Sequence, residues 1–236
     1  LSPDYDFILE NSNISHYRTG LYALSKLANG RINLVLKEKS GAGSYFSDIP
    51  GIEIHYFSGP HPSGNPGIHI HHIDPVNKGE VVWFANLQDV SILGRLLEEG
   101  IYKPEKIVAL TGSEVINPQY YRILSGGSVA SFVADNVRPG NNRYISGNVL
   151  TGTRIRSDGY LGYYDSQVTV IPEGNYHEFF GWATPGIGKF SFSRTFLSSL
   201  FPRKEYRLDT NLHGGERAFV VTGQYEKVLP MDIYPM

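Results

Sequence analysis

Ile107-Val108-Ala109-Leu110-Thr111-Gly112 is an unbroken apolar run closed by a glycine. A run of this length reads as a strand buried on both faces. Tyr120 to Leu124 is a second strand, and Ser128 to Asn136 a short helix with Ser128 as its N-cap. Arg143-Tyr144-Ile145-Ser146-Gly147 is a third strand. Strand, strand, helix, strand is the order of a β-grasp unit. Downstream the pattern is all-β: a hairpin from Tyr160 to Ile171 around Asp165-Ser166, and strands at Tyr176–Trp182 and Arg217–Val221. Thr195 to Phe201 is the one short helix expected there. Residues 106–236 thus read as a β-grasp domain with an antiparallel β extension.

Upstream, residues 1–105 read as an α/β domain. Asn11 and Ser12 or Ser15 offer N-caps ahead of Leu21, Leu24, Leu27 and Ala28, and Asn29-Gly30 closes that helix. Ile32 to Leu36 and Ile52 to Phe57 are strands. A Pro/Gly/His loop runs from Ser58 to Pro75, and Val81 to Ala85 is a short strand. Val90, Leu93, Leu96 and Leu97 have helical spacing, with Gly100 as the stop.

Composition narrows the function. The 236 residues carry 21 Lys+Arg against 23 Asp+Glu, a net charge of -2, without the basic excess of a nucleic-acid binder. Cysteine is absent, which rules out disulfides and Cys-ligated zinc or iron–sulfur centres within this stretch. No run reaches the roughly 18–20 apolar residues that span a bilayer. The only methionines are Met231 and Met236, so the chain reads as a piece of something longer or a processed product.

The densest polar cluster is His61-Pro62-Ser63-Gly64-Asn65-Pro66-Gly67-Ile68-His69-Ile70-His71-His72-Ile73-Asp74. On a strand, His69 and His71 share one face and His72 points the other way. With Asp74 such a pair can ligate zinc or iron, and with Glu53 as base it makes a metal-dependent hydrolase conceivable. The plainer reading is that the rings hydrogen-bond backbone in a rigid loop and that no metal is held. His61, Gly64, His69, His71, His72 and Asp74 are then candidates for a contact surface. Gln88 and Asp89 join them at the start of the second helix, where an acid complements the helix dipole.

Ser40-Gly41-Ala42-Gly43-Ser44 is half of a dinucleotide-binding turn, but Phe46 stands where the third glycine belongs and no helix is expected after it. No Gly-x-Ser-x-Gly nucleophile elbow occurs. Arg154, Arg156, Lys189, Arg194, Arg203, Lys204 and Arg207 give the later region a basic bias, read as a solvated face, with an acidic partner or anionic lipid as the alternative. Tyr160, Tyr163 and Tyr164 read as strand packing.

Several stretches together resemble one family. They are His61-Pro62-x-Gly64 running into Gly67-Ile68-His69-Ile70-His71 and Asp74-Pro75-Val76; Val82-Trp83 with Gln88-Asp89-Val90; Ile145-Ser146-Gly147-x-Val149-Leu150-x-Gly152; Tyr160-Leu161-Gly162-x-Tyr164; Val170-Ile171-x-Glu173-Gly174; and Glu178-Phe179-x-Gly181-Trp182. Lys189-Phe190-Ser191, Thr195-Phe196-Leu197 and Tyr225-Glu226-x-Val228-x-Pro230-Met231-Asp232-Ile233 follow in order. From His61 onward the chain resembles the A subunit of the Na+-translocating NADH:quinone oxidoreductase. The resemblance implies a central fragment of a peripheral subunit on the cytoplasmic face of the bacterial inner membrane. It implies a Rossmann-like layer followed by a soluble-ligand-binding β-grasp domain. Flavins and iron centres are then expected on other subunits, with no cofactor in this fragment. Its partners are the other pump subunits, and quinone (ubiquinone) at the level of the complex. Its part in NADH oxidation and sodium transport is assembly and docking, without a catalytic residue of its own. The paralogous ion-translocating electron-transport complex is the neighbouring alternative.

Overall fold

The computed structural model describes residues 3–28, 31–60, 62–176, 178–181, 183–190, 196–201, 207 and 209–211. From Asp4 onward these fall into two units, Asp4–Lys106 and residues 107–211. Each has its own sheet and its own core. The architecture is mixed α/β, with more strand in the second unit.

The first unit begins with α1, Tyr5–Glu10, where Asp4 accepts a hydrogen bond from the Asp6 N–H. The apolar spacing alone does not announce so short a helix. Helix α2, Ile14–Leu27, is capped by Asn13, whose side chain accepts from the Ser15 N–H at 3.0 Å. The cap is therefore neither Asn11, Ser12 nor Ser15. Asn11 instead ends α1, its N–H bonded to the carbonyls of Phe7 and Leu9. Asn29 and Gly30 lie outside the described residues. Strands β1, Ile32–Lys37, and β2, Ile52–Phe57, pair in parallel with Leu34 opposite Ile54. Leu34, Leu36, Phe46, Tyr17, Leu21 and Val90 pack into one core. Burying each large apolar side chain in it stabilises the unit by roughly 1.5–3 kcal/mol.

Between β2 and the end of this unit lie helices α3, Pro66–Ile73, and α4, Leu87–Glu99. Helix α4 stops at Gly100, which adopts the left-handed conformation expected of a C-cap. It crosses α2 at Gly20 and Gly94. A β-carbon on Gly94 would overlap the His16 carbonyl oxygen, and one on Gly20 the Val90 carbonyl. Only glycine lets these backbones approach so closely. Around the crossing His16 Nε2 lies 3.1 Å from Glu99, and Ser15 and Thr19 both donate to Glu98.

The second unit holds a five-stranded sheet. Its strands are β3 (Glu105–Thr111, whose first two residues belong to the first unit), β4 (Gln119–Leu124), β5 (Asn142–Ser146), β6 (Thr153–Ile155) and β7 (Gln167–Pro172). Their spatial order is β4-β3-β7-β5-β6. The chain's first and last strands in this sheet are neighbours: β7 lies parallel to β3 and antiparallel to β5. One face of the sheet carries Val108, Leu110, Val168 and Val170, packed against Val129, Phe132 and Val133 at α5, Ala130–Val133. Ser128 Oγ accepts from the Ala130 N–H at 3.3 Å, although Val129 occupies the cap position. On the opposite face Gln167 donates to Thr111 and Thr169, and Thr169 donates to the Gly147 carbonyl. All three side chains are buried, so this line satisfies polar groups that would otherwise be costly.

Among the described residues, three expected strand features do not form. Val81 to Ala85 lies outside every helix and strand, with no ladder partner. Tyr160 to Ile171 is not a hairpin, because only Gln167–Pro172 forms a strand. Asp165, expected at the turn tip, accepts from Ser146 Oγ, which itself accepts from the Gly162 N–H at 2.8 Å. That knot holds the segment at the end of β5 instead of letting it fold on itself. In Tyr176–Trp182 the described residues form no strand, and Phe179 to Gly181 make a turn with the Gly181 N–H bonded to the Glu178 carbonyl. Trp182 and Arg217–Val221 lie outside the described residues. Within Thr195–Phe201 a 3₁₀ turn is present at Leu197–Leu200.

Candidate functional site

The histidine-rich segment is helical, forming α3, and not an extended loop. Pro66 at the first helical position, following Asn65, is a start signal that the Pro/Gly density of the segment disguises. Two turns precede it, closed by the Ser63 N–H to the Pro60 carbonyl and the Asn65 N–H to the Pro62 carbonyl.

The helix overturns the expected pairing of rings. Residues two apart on a helix point in different directions, whereas residues three apart share a side. His69 and His72 therefore both approach Phe57 of β2, with centroids 4.6 and 6.2 Å from its ring. His71 meets His72 edge-on at 5.3 Å. His69 Nε2 lies 2.8 Å from the Ser63 carbonyl oxygen. A carbonyl can only accept, so Nε2 carries the proton. Burial pushes the His69 pKa below the ordinary histidine value, and the Ser63 bond partly offsets that shift.

Asp74 caps the end of α3 and is exposed, its N–H bonded to the Ile70 carbonyl at 2.9 Å. Gly64 is exposed in the turn before the helix, and His61 lies outside the described residues. Among the described residues no three His, Asp or Glu side chains converge as metal ligands would. Glu53, the base that a hydrolase would require, instead faces Arg31 at 3.2 Å on β2. The His69/His71/Asp74 ligand set is thus taken apart by the helical geometry.

Gln88 and Asp89 sit in the first turn of α4. Gln88 is buried, and Asp89 lies 2.6 Å from the ammonium of Lys106. The Gly-rich segment forms a 3₁₀ turn, Gly41–Tyr45, with Ser40 Oγ accepting from the Ala42 N–H. Where a nucleotide phosphate would need open space, a β-carbon on Gly43 would strike the Tyr56 hydroxyl. Phe46 then drops fully buried into the core. Ala42 and Gly43 are buried, while Gly41, Ser44 and Tyr45 are exposed.

The basic bias of the later region resolves into ion pairs. Arg143 and Arg154 both bind Glu173, Arg156 binds Asp158, Lys189 binds Glu178 and Arg207 binds Glu114. The Arg143 hydrogen bonds hold the Glu173 carboxyl below the usual range. Arg194, Arg203 and Lys204 lie outside the described residues. Tyr160 and Tyr164 are exposed rather than packed, and Tyr163 meets Tyr164 edge-on at 5.1 Å. Sequence reasoning missed the exposure of Val81, Val82, Trp83 and Phe84, because a strand-like apolar run does not say which partner completes it.

A family model described as the NqrA second alpha/beta domain matches residues 1–102, and one described as the NQRA C-terminal domain matches residues 107–157. The A subunit of the Na(+)-translocating NADH-quinone reductase of Pasteurella multocida (strain Pm70) is 39% identical over 229 residues, 97% of this chain and 51% of that one. The corresponding protein of Klebsiella pneumoniae (strain 342) is 40% identical over 220 residues, covering 93% and 49%. That of Histophilus somni (strain 2336) is 41% identical over 220 residues, with the same coverage. The chain spans about half the length of the curated relatives it matches. With both domain models matching in order and about two residues in five shared along nearly its whole length, this chain belongs to the NqrA family, the A subunits of the Na(+)-translocating NADH-quinone reductase.

Proposed function

We propose that this chain is part of a peripheral subunit of a redox-driven sodium pump that passes electrons from NADH to quinone. Its role there is assembly and docking of partner subunits and contact with quinone, on the cytoplasmic face of the inner membrane. The observation that carries this reading is the 39% identity to the Pasteurella multocida protein over 97% of the chain. Among the described residues no helix is long and apolar enough to cross a membrane, which is compatible with a peripheral position.

The two domains are a Rossmann-like layer at residues 1–105 and a β-grasp domain of soluble-ligand-binding type from residue 106 onward. The strand order β4-β3-β7-β5-β6, with its first and last strands parallel at the centre, supports the second assignment. The redox centres belong to other subunits. What supports this is the Gly41–Tyr45 turn, where Gly43 lies against the Tyr56 hydroxyl and Phe46 is buried in the core. The docking surface is the exposed side of α3, with Gly64, His71, His72 and Asp74 as its contacts; His61, outside the described residues, belongs to the same stretch of sequence. His69 fixes the helix through Phe57, and Gln88 and Asp89 fix the start of α4.

A hybrid pump tests the reading. This chain replaces the matching half of the Pasteurella multocida protein, and Na+-dependent quinone reduction by NADH is measured in membranes. The hybrid should retain activity and co-purify with the other pump subunits. Replacing His72, an exposed residue, by Asp should lower co-purification while leaving the chain folded. A folded hybrid that associates with no pump subunit would falsify the proposal.

A further inference from the structure

We infer that Val81–Ala85 is a docking strand that completes a sheet with the domain preceding this one in the longer family chains. The segment lies outside every helix and strand, and none of its backbone groups is hydrogen-bonded among the described residues. Its side chains are 76% exposed at Val81, 49% at Val82, 91% at Trp83 and 64% at Phe84. Paired as a strand, Val81 and Trp83 point one way and Val82 and Phe84 the other. A strand apolar on both sides belongs inside a sheet with both faces covered. Four large apolar residues left together in water mark a surface that another body covers.

The occupant follows from what must be supplied. It must offer a free strand edge for five residues of backbone and apolar cover for two faces at once, as α/β bodies do. A second copy pairing the same segment with itself would leave both faces wet, and an isolated two-stranded ribbon is marginal in water. The family model describes residues 1–102 as a second domain, and the relatives are about twice as long as this chain. The first domain of those relatives is therefore the occupant. This rests on the family assignment, but its test needs neither the pump nor NADH.

The sequence has two tryptophans, so Trp182→Phe leaves Trp83 as the sole reporter. The probe is the stretch of the Pasteurella multocida protein that precedes the matched half. In the chain alone, Trp83 should emit as a water-exposed indole and be quenched by acrylamide. Adding the probe should move the emission to shorter wavelength, cut the quenching, and slow amide exchange at Val81–Ala85 by at least about tenfold. Val82→Pro, which removes a ladder donor at an unpaired site, should abolish these changes without altering the urea midpoint of the chain. If that variant unfolds, Trp83→Asp serves in its place, read by amide exchange. Trp83 already shielded in the dilute chain overturns the proposal in favour of docking on its own sheet. Shielding that grows with chain concentration overturns it in favour of a second copy. Failure of the probe to bind, or binding that leaves Trp83 exposed, overturns it outright.

Discussion

The ammonium of Lys106, its side chain only 2% exposed, lies 2.6 Å from a carboxylate oxygen of Asp89 in the first turn of α4. A buried pair of this kind is costly to break and cheap to replace as a unit. Lys106→Met should destabilise the protein by about 3 kcal/mol, because the Asp89 carboxylate loses its ammonium partner. Adding Asp89→Leu to that variant should restore stability to within about 1 kcal/mol of the parent. Urea unfolding of the two singles and the double closes the cycle. A double change that costs the sum of the two singles would show the residues to be uncoupled.

The α2–α4 crossing makes a sharper prediction. Gly94→Ala forces a methyl into the His16 carbonyl, and two backbones must part to admit it. The cost should be about 3 kcal/mol. Gly100→Ala keeps open space around its β-carbon but strains a residue at φ +70°, and should cost only about 1 kcal/mol. Thermal melts rank the two, and the reverse order would mean that the helices separate easily.

His69 sets a pH dependence. Burial lowers its folded-state pKa, so the unfolded chain binds the proton more readily. Its contribution is therefore complete above the unfolded value of about 6.5 and fades as pH falls through the lower folded value. Stability should drop on acidification from pH 7 toward 5, and the drop should be smaller in His69→Leu. Imidazole NMR titration reads the same shift directly, and a pKa at or above the ordinary value contradicts it.

Titration of the purified chain with FMN and with NADH, followed by fluorescence, should show no saturable micromolar binding. The expectation comes from Gly43, whose backbone lies against the Tyr56 hydroxyl. Tyr56→Ala should not create binding, since Phe46 still fills the place of the third glycine. Tight binding of either ligand to the parent chain would reassign this layer as a working nucleotide site.

What the sequence made legible follows from range. Ile32–Lys37, Ile52–Phe57 and Leu87–Glu99 carry their own periodicity and stop signals, and all three formed as elements. The misread segments are those whose state depends on a distant group. Asp165 looked like a turn residue until Ser146, from the end of β5, claimed its carboxylate. The rings of α3 looked like a strand ladder because alternating His and Ile mimic period two, while the single Pro66 that starts a helix was lost among other prolines. The His69–Phe57 contact joins an element to one before it in the chain, and no local pattern records it.

The parallel pairing of β3 with β7 sets the order in which the second unit can be made. Ala109 meets Gln167, and Leu110 meets Val168, at the centre of the sheet. Until the ribosome has released residues near Pro172, β3 has one flank open and Val108 and Leu110 lack their neighbours from β7. Closing so long a loop before any central contact forms is slow, since its entropy must be met first. The nascent domain therefore spends its emergence as an aggregation-prone half-sheet, and its folding waits for the last strand to be synthesised.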